Sequence, residues 1–184
     1  MKTIKLLSLF TAAILALNSC SSDDDPEPVN EEEVITTMTI TLVPQSGGAP
    51  IQLESRDLDG DGPNPPEITV SGNFSARTLY TGSIVLLNET ETPAENITTE
   101  VEEEAEEHQF FYTLSPSLSG STEYINVDGD GNPLGTEFAF SAGDESTGTM
   151  TFTLRHDLKK PNDGTLSDAG GETDIAQTFD VVIE

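Results

Sequence analysis

The feature that most constrains this chain is a series of short segments with period-two alternation, each closed by glycine, proline, aspartate or asparagine. Residues 34–43 put Val34, Thr36, Met38, Ile40 and Leu42 on one side and mostly threonines on the other, which predicts a half-buried strand. Residues 44–50 read as a turn and residues 51–54 as the returning hairpin strand. The same reading predicts strands at 68–70, 79–87, 109–115, 122–127, 137–141, 148–156 and 176–183. Phe138 with Phe140, then Met150, Phe152 and Leu154, then Phe179, Val181 and Ile183 mark inward faces, and the run Ile84-Val85-Leu86-Leu87 predicts a central strand buried on both faces. Eight or nine such strands with one interrupting helix predict an all-β fold. Its expected form is a two-layer antiparallel β-sandwich, immunoglobulin-like, with one short acidic helix.

The helix is predicted from about Pro93 to Glu107. Thr92 suits an N-cap, Pro93 the first helical position, and Glu95 completes a capping box. Ala94, Ile97, Val101 and Ala105 form a narrow apolar stripe. Glu100, Glu102, Glu103, Glu104, Glu106 and Glu107 place like charges at i,i+3 and i,i+4 with no basic residue among them, each pair opposing the helix by roughly 0.2–0.5 kcal/mol.

The first residues combine Lys2 and Lys5 with an apolar run from Leu6 to Leu17, an export signal too short to span a membrane. Leu17-Asn18-Ser19-Cys20 resembles a bacterial lipobox, which implies a signal peptide over 1–19 and lipidation at Cys20. Residues 20–33, acidic and proline-containing, then form a disordered tether, followed by one domain over 34–184. Ser22-Asp23-Asp24-Asp25 resembles the export signal of surface lipoproteins of the Bacteroidetes group, which implies an outer-membrane, cell-facing location with the lipid as the only membrane attachment. Cys20 is the chain's one cysteine, so the domain has neither disulfides nor thiolate metal sites.

Beyond the leader, five basic residues face 34 acidic ones, a net charge of −29. That excludes a nucleic-acid binder, whose affinity comes from lysine and arginine on phosphates. It suits solubility, cation binding or attraction to a basic partner.

Asp57, Asp59, Asp61 and Gly62 match the opening of a calcium loop, but Ile68 holds the position of the bidentate glutamate. A looser calcium loop between strands and a plain Asp-Gly-Pro turn are both open readings. Asp128, Asp130 and Asn132 repeat the spacing with Pro133 in place of glycine.

His108 and His156 are the chain's two histidines, each at the end of an expected strand. Should those ends meet, they join Glu104, Glu107 or Asp157 in a nitrogen-and-carboxylate site suited to zinc or a similar transition metal. The long polar loop over 157–174 carries Lys159 and Lys160, able to fold over the acidic helix as an internal counter-charge. No nucleophile motif, phosphate loop or zinc-protease histidine pair is present, so an enzyme is not expected.

Leu58-Asp-Gly-Asp-Gly-Pro-Asn, Leu86-Leu-Asn-Glu-Thr, Glu106-Glu-His-Gln-Phe-Phe, Thr153-Leu-Arg-His and Asp168-Ala-Gly-Gly-Glu-Thr-Asp-Ile together resemble a family of small Bacteroidetes outer-membrane lipoproteins of unknown function. Members are sometimes labelled "type 1 periplasmic binding fold superfamily". The label implies two α/β lobes with parallel sheets, whereas the residues here predict antiparallel strands. Two functions follow as expectations. One is a surface lipoprotein that captures a metal ion or small ligand, with an outer-membrane transporter as the expected recipient. The other is an interaction module docking a basic membrane partner through Glu102, Glu103 and Glu106.

Overall fold

The computed structural model describes residues 33–59 and 63–184. The expected signal peptide, the lipidation site Cys20, the tether up to residue 32, and Asp61 lie outside the described residues. Among the described residues, no helix is long and apolar enough to cross a membrane.

Ten strands and two short helices follow one another in the order β1 (Thr37–Pro44), β2 (Ile51–Arg56), β3 (Glu67–Val70), β4 (Leu79–Asn88), β5 (Glu95–Asn96), α1 (Ile97–Glu103), β6 (His108–Leu114), β7 (Gly120–Tyr124), β8 (Glu137–Ala142), β9 (Ser146–His156), α2 (Leu166–Ala169) and β10 (Glu172–Ile183). They build two antiparallel sheets in a sandwich-like arrangement. The larger runs β3-β2-β1-β4-β8-β7 with β5 beside β4, and the smaller runs β10-β9-β6. The expected all-β antiparallel class is what the chain adopts, not the parallel α/β lobes that the label implies.

Alternation does the work the sequence suggested. Met38, Ile40 and Leu42 of β1, Phe138 and Phe140 of β8, Phe152 and Leu154 of β9, and Phe179 of β10 are fully buried between the sheets. Rings join the two layers: Phe138 lies 5.7 Å from Phe152, which meets Phe179 edge-on at 6.0 Å. Gly82 makes room for this packing, because a Cβ there would overlap the Phe138 ring.

Three expectations need correction. Val34 lies outside β1 and is 56% exposed, because the chain joins the sheet only at Thr36, whose N–H donates to the Leu87 carbonyl. Val85 is 40% exposed, so β4, although central in its sheet, buries one face only. The helix is half the expected length. Glu95–Asn96 pairs with β4 before α1 begins at Ile97, so Thr92 and Pro93 are not its cap, and Ala94 is exposed. Ile97, Val101 and Ala105 do face the core. Past Glu103 the uncompensated glutamates have no basic residue in the last turn to meet the negative helix end, and the chain turns instead.

The 157–174 loop contains one helical turn the sequence reading missed. Thr165 caps α2 by accepting from the Asp168 N–H at 3.2 Å, and Ala169 packs with Leu158 on Phe111 in a small outer cluster.

Candidate metal centre

His108 opens β6 and His156 closes β9, and the antiparallel register sets them directly opposite one another. His108 shares a face with Phe110, and His156 with Leu154, so both rings point inward at one end of the sandwich. The rings stack, with centroids 4.6 Å apart and planes 25° apart. The meeting of strand ends on which the histidine site depended therefore occurs.

Two carboxylates that the sequence reading did not select complete the cluster. Asp174 sits at a register shift in β10. Thr173 pairs with Arg155 and Ile175 with Leu154, leaving Asp174 as the extra residue of a bulge. A bulge re-aims one side chain, and here the Asp174 carboxylate comes within 3.7 Å of His156 Nδ1 and 4.0 Å of His108 Nε2. Gly171 lets this strand start close against β9. Its φ is +69°, and a Cβ there would overlap the His156 carbonyl. Glu33, expected in the tether, instead packs into the domain: Oε1 lies 3.1 Å from His108 Nε2, and Oε2 lies 4.0 Å from His156 Nδ1.

Each carboxylate thus turns one oxygen toward each imidazole. The side chains are 0% (His108), 6% (His156), 5% (Glu33) and 1% (Asp174) exposed. One ligand atom from each lies within 4.8 Å of every other. Around a tetrahedral zinc with bonds of about 2.0–2.1 Å, ligand atoms stand about 3.3–3.4 Å apart. The nitrogen-to-oxygen separations of 3.1, 3.7, 4.0 and 4.0 Å bracket that value from just below to slightly above.

Hydrogen bonding sharpens the chemistry. His108 Nδ1 lies 3.1 Å from the Glu104 carbonyl oxygen, which can only accept, so Nδ1 carries a hydrogen. A neutral ring then turns the Nε2 lone pair toward the Glu33 carboxylate. Two acceptors 3.1 Å apart require a positive charge between them, either a proton or a metal ion. Burial would lower the His108 pKa, but the bonds to Glu33 and Glu104 and the nearby carboxylate charges outweigh it and raise the pKa above the ordinary value. The same bond from His108 holds Glu33 below its ordinary range against the opposing effect of burial. Glu33 Oε2 is buried with no hydrogen-bond partner among the described residues. No lysine or arginine pairs with Glu33 among the described ion pairs.

The other expected ligands are placed differently. Glu104 reaches His108 through its backbone carbonyl, and its side chain is exposed, so it is corrected from a ligand to a support. Glu107 and Asp157 approach the opposite nitrogen, His156 Nε2, at 4.0 and 3.8 Å, with side chains 57% and 63% exposed. They form an outer group on the Nε2 side of His156, a residue this group shares with the inner four.

No protein-family model, curated protein or solved structure matches the chain. Its chemistry has to be read from its own side chains.

In the Asp57 loop, Asp57 accepts from the Asp59 N–H at 3.2 Å, and Asp59 accepts from the Asn64 amide at 2.6 Å, both bonds of a local turn. The Asp128 segment is not a cation loop. Asp128 Oδ1 accepts from the N–H groups of Asp130 and Asn132, and Oδ2 pairs with Lys160 Nζ at 3.2 Å. Lys160 also donates to the Ala105 carbonyl, so the polar loop does supply a counter-charge to the end of the helical segment. Of the acidic trio expected to dock a partner, Glu102 accepts from the Thr136 hydroxyl at 2.7 Å, and Glu103 and Glu106 are exposed.

Proposed function

We propose that this chain is an outer-membrane-anchored, cell-facing lipoprotein that captures a divalent transition metal, with zinc the best fit. His108 Nε2, His156 Nδ1, Glu33 and Asp174 are the ligands. The observation that carries the reading is a buried ring of two imidazoles and two carboxylates whose own hydrogen bonding leaves a place for a cation.

The donor set favours this class of ion. Imidazole nitrogen suits borderline metals, while calcium takes six to eight oxygens, and soft Cu(I) seeks thiolate or thioether ligands. Two carboxylates balance a divalent charge, so the filled site is neutral and tolerates burial. The histidines are already oriented for the task. His108 has a backbone carbonyl on its far nitrogen, and His156 has the Glu107 and Asp157 carboxylates beside its own, the supports that fix ligand histidines in metal sites. Anchorage and surface location rest on the lipobox-like Leu17-Asn18-Ser19-Cys20 and the acids after it. Together with the resemblance to Bacteroidetes lipoproteins, they support a role at the cell boundary, where capture would serve delivery to an outer-membrane transporter.

The test is isothermal titration of the metal-stripped mature chain with zinc and, separately, calcium at physiological salt. One zinc bound at micromolar affinity or tighter, lost on changing both histidines to alanine, is the expected result. Absence of zinc heat, or unchanged binding by the double variant, overturns the reading.

A further inference from the structure

The four donors do not come from equivalent places. His108, His156 and Asp174 ride on β6, β9 and β10, neighbouring strands of the smaller sheet. The spacing of the two histidines is set by the ladder itself, and that of Asp174 by the bulge between paired Thr173 and Ile175. Glu33 stands outside any strand, four residues ahead of β1, in the segment that leads into the other sheet. The chain is fixed to that sheet at Thr36, whose N–H and hydroxyl both donate to the Leu87 carbonyl, while its hydroxyl oxygen accepts from the Glu89 N–H. Between Thr36 and Glu33, Ile35 packs on the core and Val34 is exposed.

A metal ion in this ring would therefore have three ligands on a rigid ladder and one on the incoming chain. Exchange of a buried ion requires one ligand to leave first. The backbones of His108 and His156 are held by strand pairing and that of Asp174 by the paired residues on either side of its bulge, whereas the backbone of Glu33 is free of any strand and can swing out by rotation of the residues between it and Thr36.

We propose that Glu33 is the exchange ligand of the site. Metal enters and leaves as Glu33 moves away, and a bound ion pins the start of the domain onto the smaller sheet. By linkage the coupling is reciprocal: whatever holds Glu33 in place tightens metal binding, and a pull on the chain ahead of it loosens the ion. The inference rests on the metal-binding reading above and adds how that site is controlled.

The test compares the zinc-loaded mature chain with its Glu33→Gln and Asp157→Asn variants. Two readouts are used: the zinc dissociation rate into excess chelator, and amide hydrogen exchange at Val34, Ile35 and Thr36 followed by NMR. In the wild type, zinc is expected to slow exchange at these amides at least tenfold. In Glu33→Gln, zinc still binds but leaves at least tenfold faster, and the zinc-dependent protection disappears. Asp157→Asn keeps the protection. Equal protection in wild type and Glu33→Gln, or none in the wild type while zinc is bound, overturns the assignment of Glu33 and leaves metal binding standing. Failure of the wild type to bind zinc at all removes both.

Discussion

Two clusters of buried charge among the described residues are solved in opposite ways. Asp128 is 1% exposed and carries its own cation, Lys160, itself 5% exposed. Backbone N–H groups and the Asn132 amide take up its remaining acceptor capacity. Burial would raise the Asp128 pKa, but these bonds and Lys160 prevail and hold it below the ordinary range. In the ring around His108 and His156, Glu33 pairs with histidine alone among the described ion pairs, and one of its oxygens has no hydrogen-bond partner among the described residues. The first cluster is a finished internal ion pair that ties three loops together. The second, under the metal-binding proposal, takes up a proton or an ion between His108 and Glu33, so similar residue types would give a clamp in one place and a receptor in the other.

The largest effect separates the two outright. The double change His108→Ala, His156→Ala should weaken zinc binding by about a thousandfold or more, equivalent to about 4 kcal/mol, while Lys160→Met leaves zinc affinity unaltered in the same titration. The reverse holds for stability. Lys160→Met strands the Asp128 carboxylate and should lower the free energy of unfolding by about 3 kcal/mol in urea melts, the lower end of the cost of halving a buried pair.

Next comes pH, where the clusters again part. Protons compete with metal at His108, so zinc affinity should rise by up to about tenfold per pH unit for each proton displaced. The rise should continue through the raised His108 pKa and flatten above it. In the metal-free protein the raised His108 pKa contributes stability that is fully present below the ordinary value of 6.5 and lost as pH rises through the higher folded value. The lowered Glu33 pKa contributes stability present above its ordinary 4.5 and lost as pH falls through the lower folded value. Metal-free melting temperatures should therefore benefit most between about 4.5 and 6.5, and zinc should stabilise most on the alkaline side of that window.

The smallest effect concerns the outer carboxylates. Asp157→Asn or Glu107→Gln should reduce zinc affinity by less than about tenfold, the low end for groups that only orient a ligand histidine. A loss as large as that of the histidine pair would move the ion to the Nε2 side of His156.

Much of the sandwich was legible because alternation in β1, β8, β9 and β10 reports burial directly. The helix was overread, since a capping signature at Thr92 cannot show that Glu95–Asn96 will bond to β4 first. The histidine pair was legible as a conditional. Each sat at a strand end, but only the register puts 108 opposite 156. Asp174 was illegible because a bulge decides its direction, and nothing in Thr173-Asp174-Ile175 announces one. Glu33 was hidden among Glu31 and Glu32 in an acidic run that reads as solvated throughout. One cue existed: an acidic residue this close to the first strand can reach whatever lies at that strand's end.

Under the metal-binding proposal, the pairing of His108 with His156 would also make the centre a proofreading device for the fold. A slip of β6 along β9 by a single residue would turn one imidazole out of the interior and present a different neighbour to the other, and no arrangement of Glu33 and Asp174 could then close around an ion. A chain that retained zinc there would have, by that fact alone, its smaller sheet correctly threaded and its start seated on it.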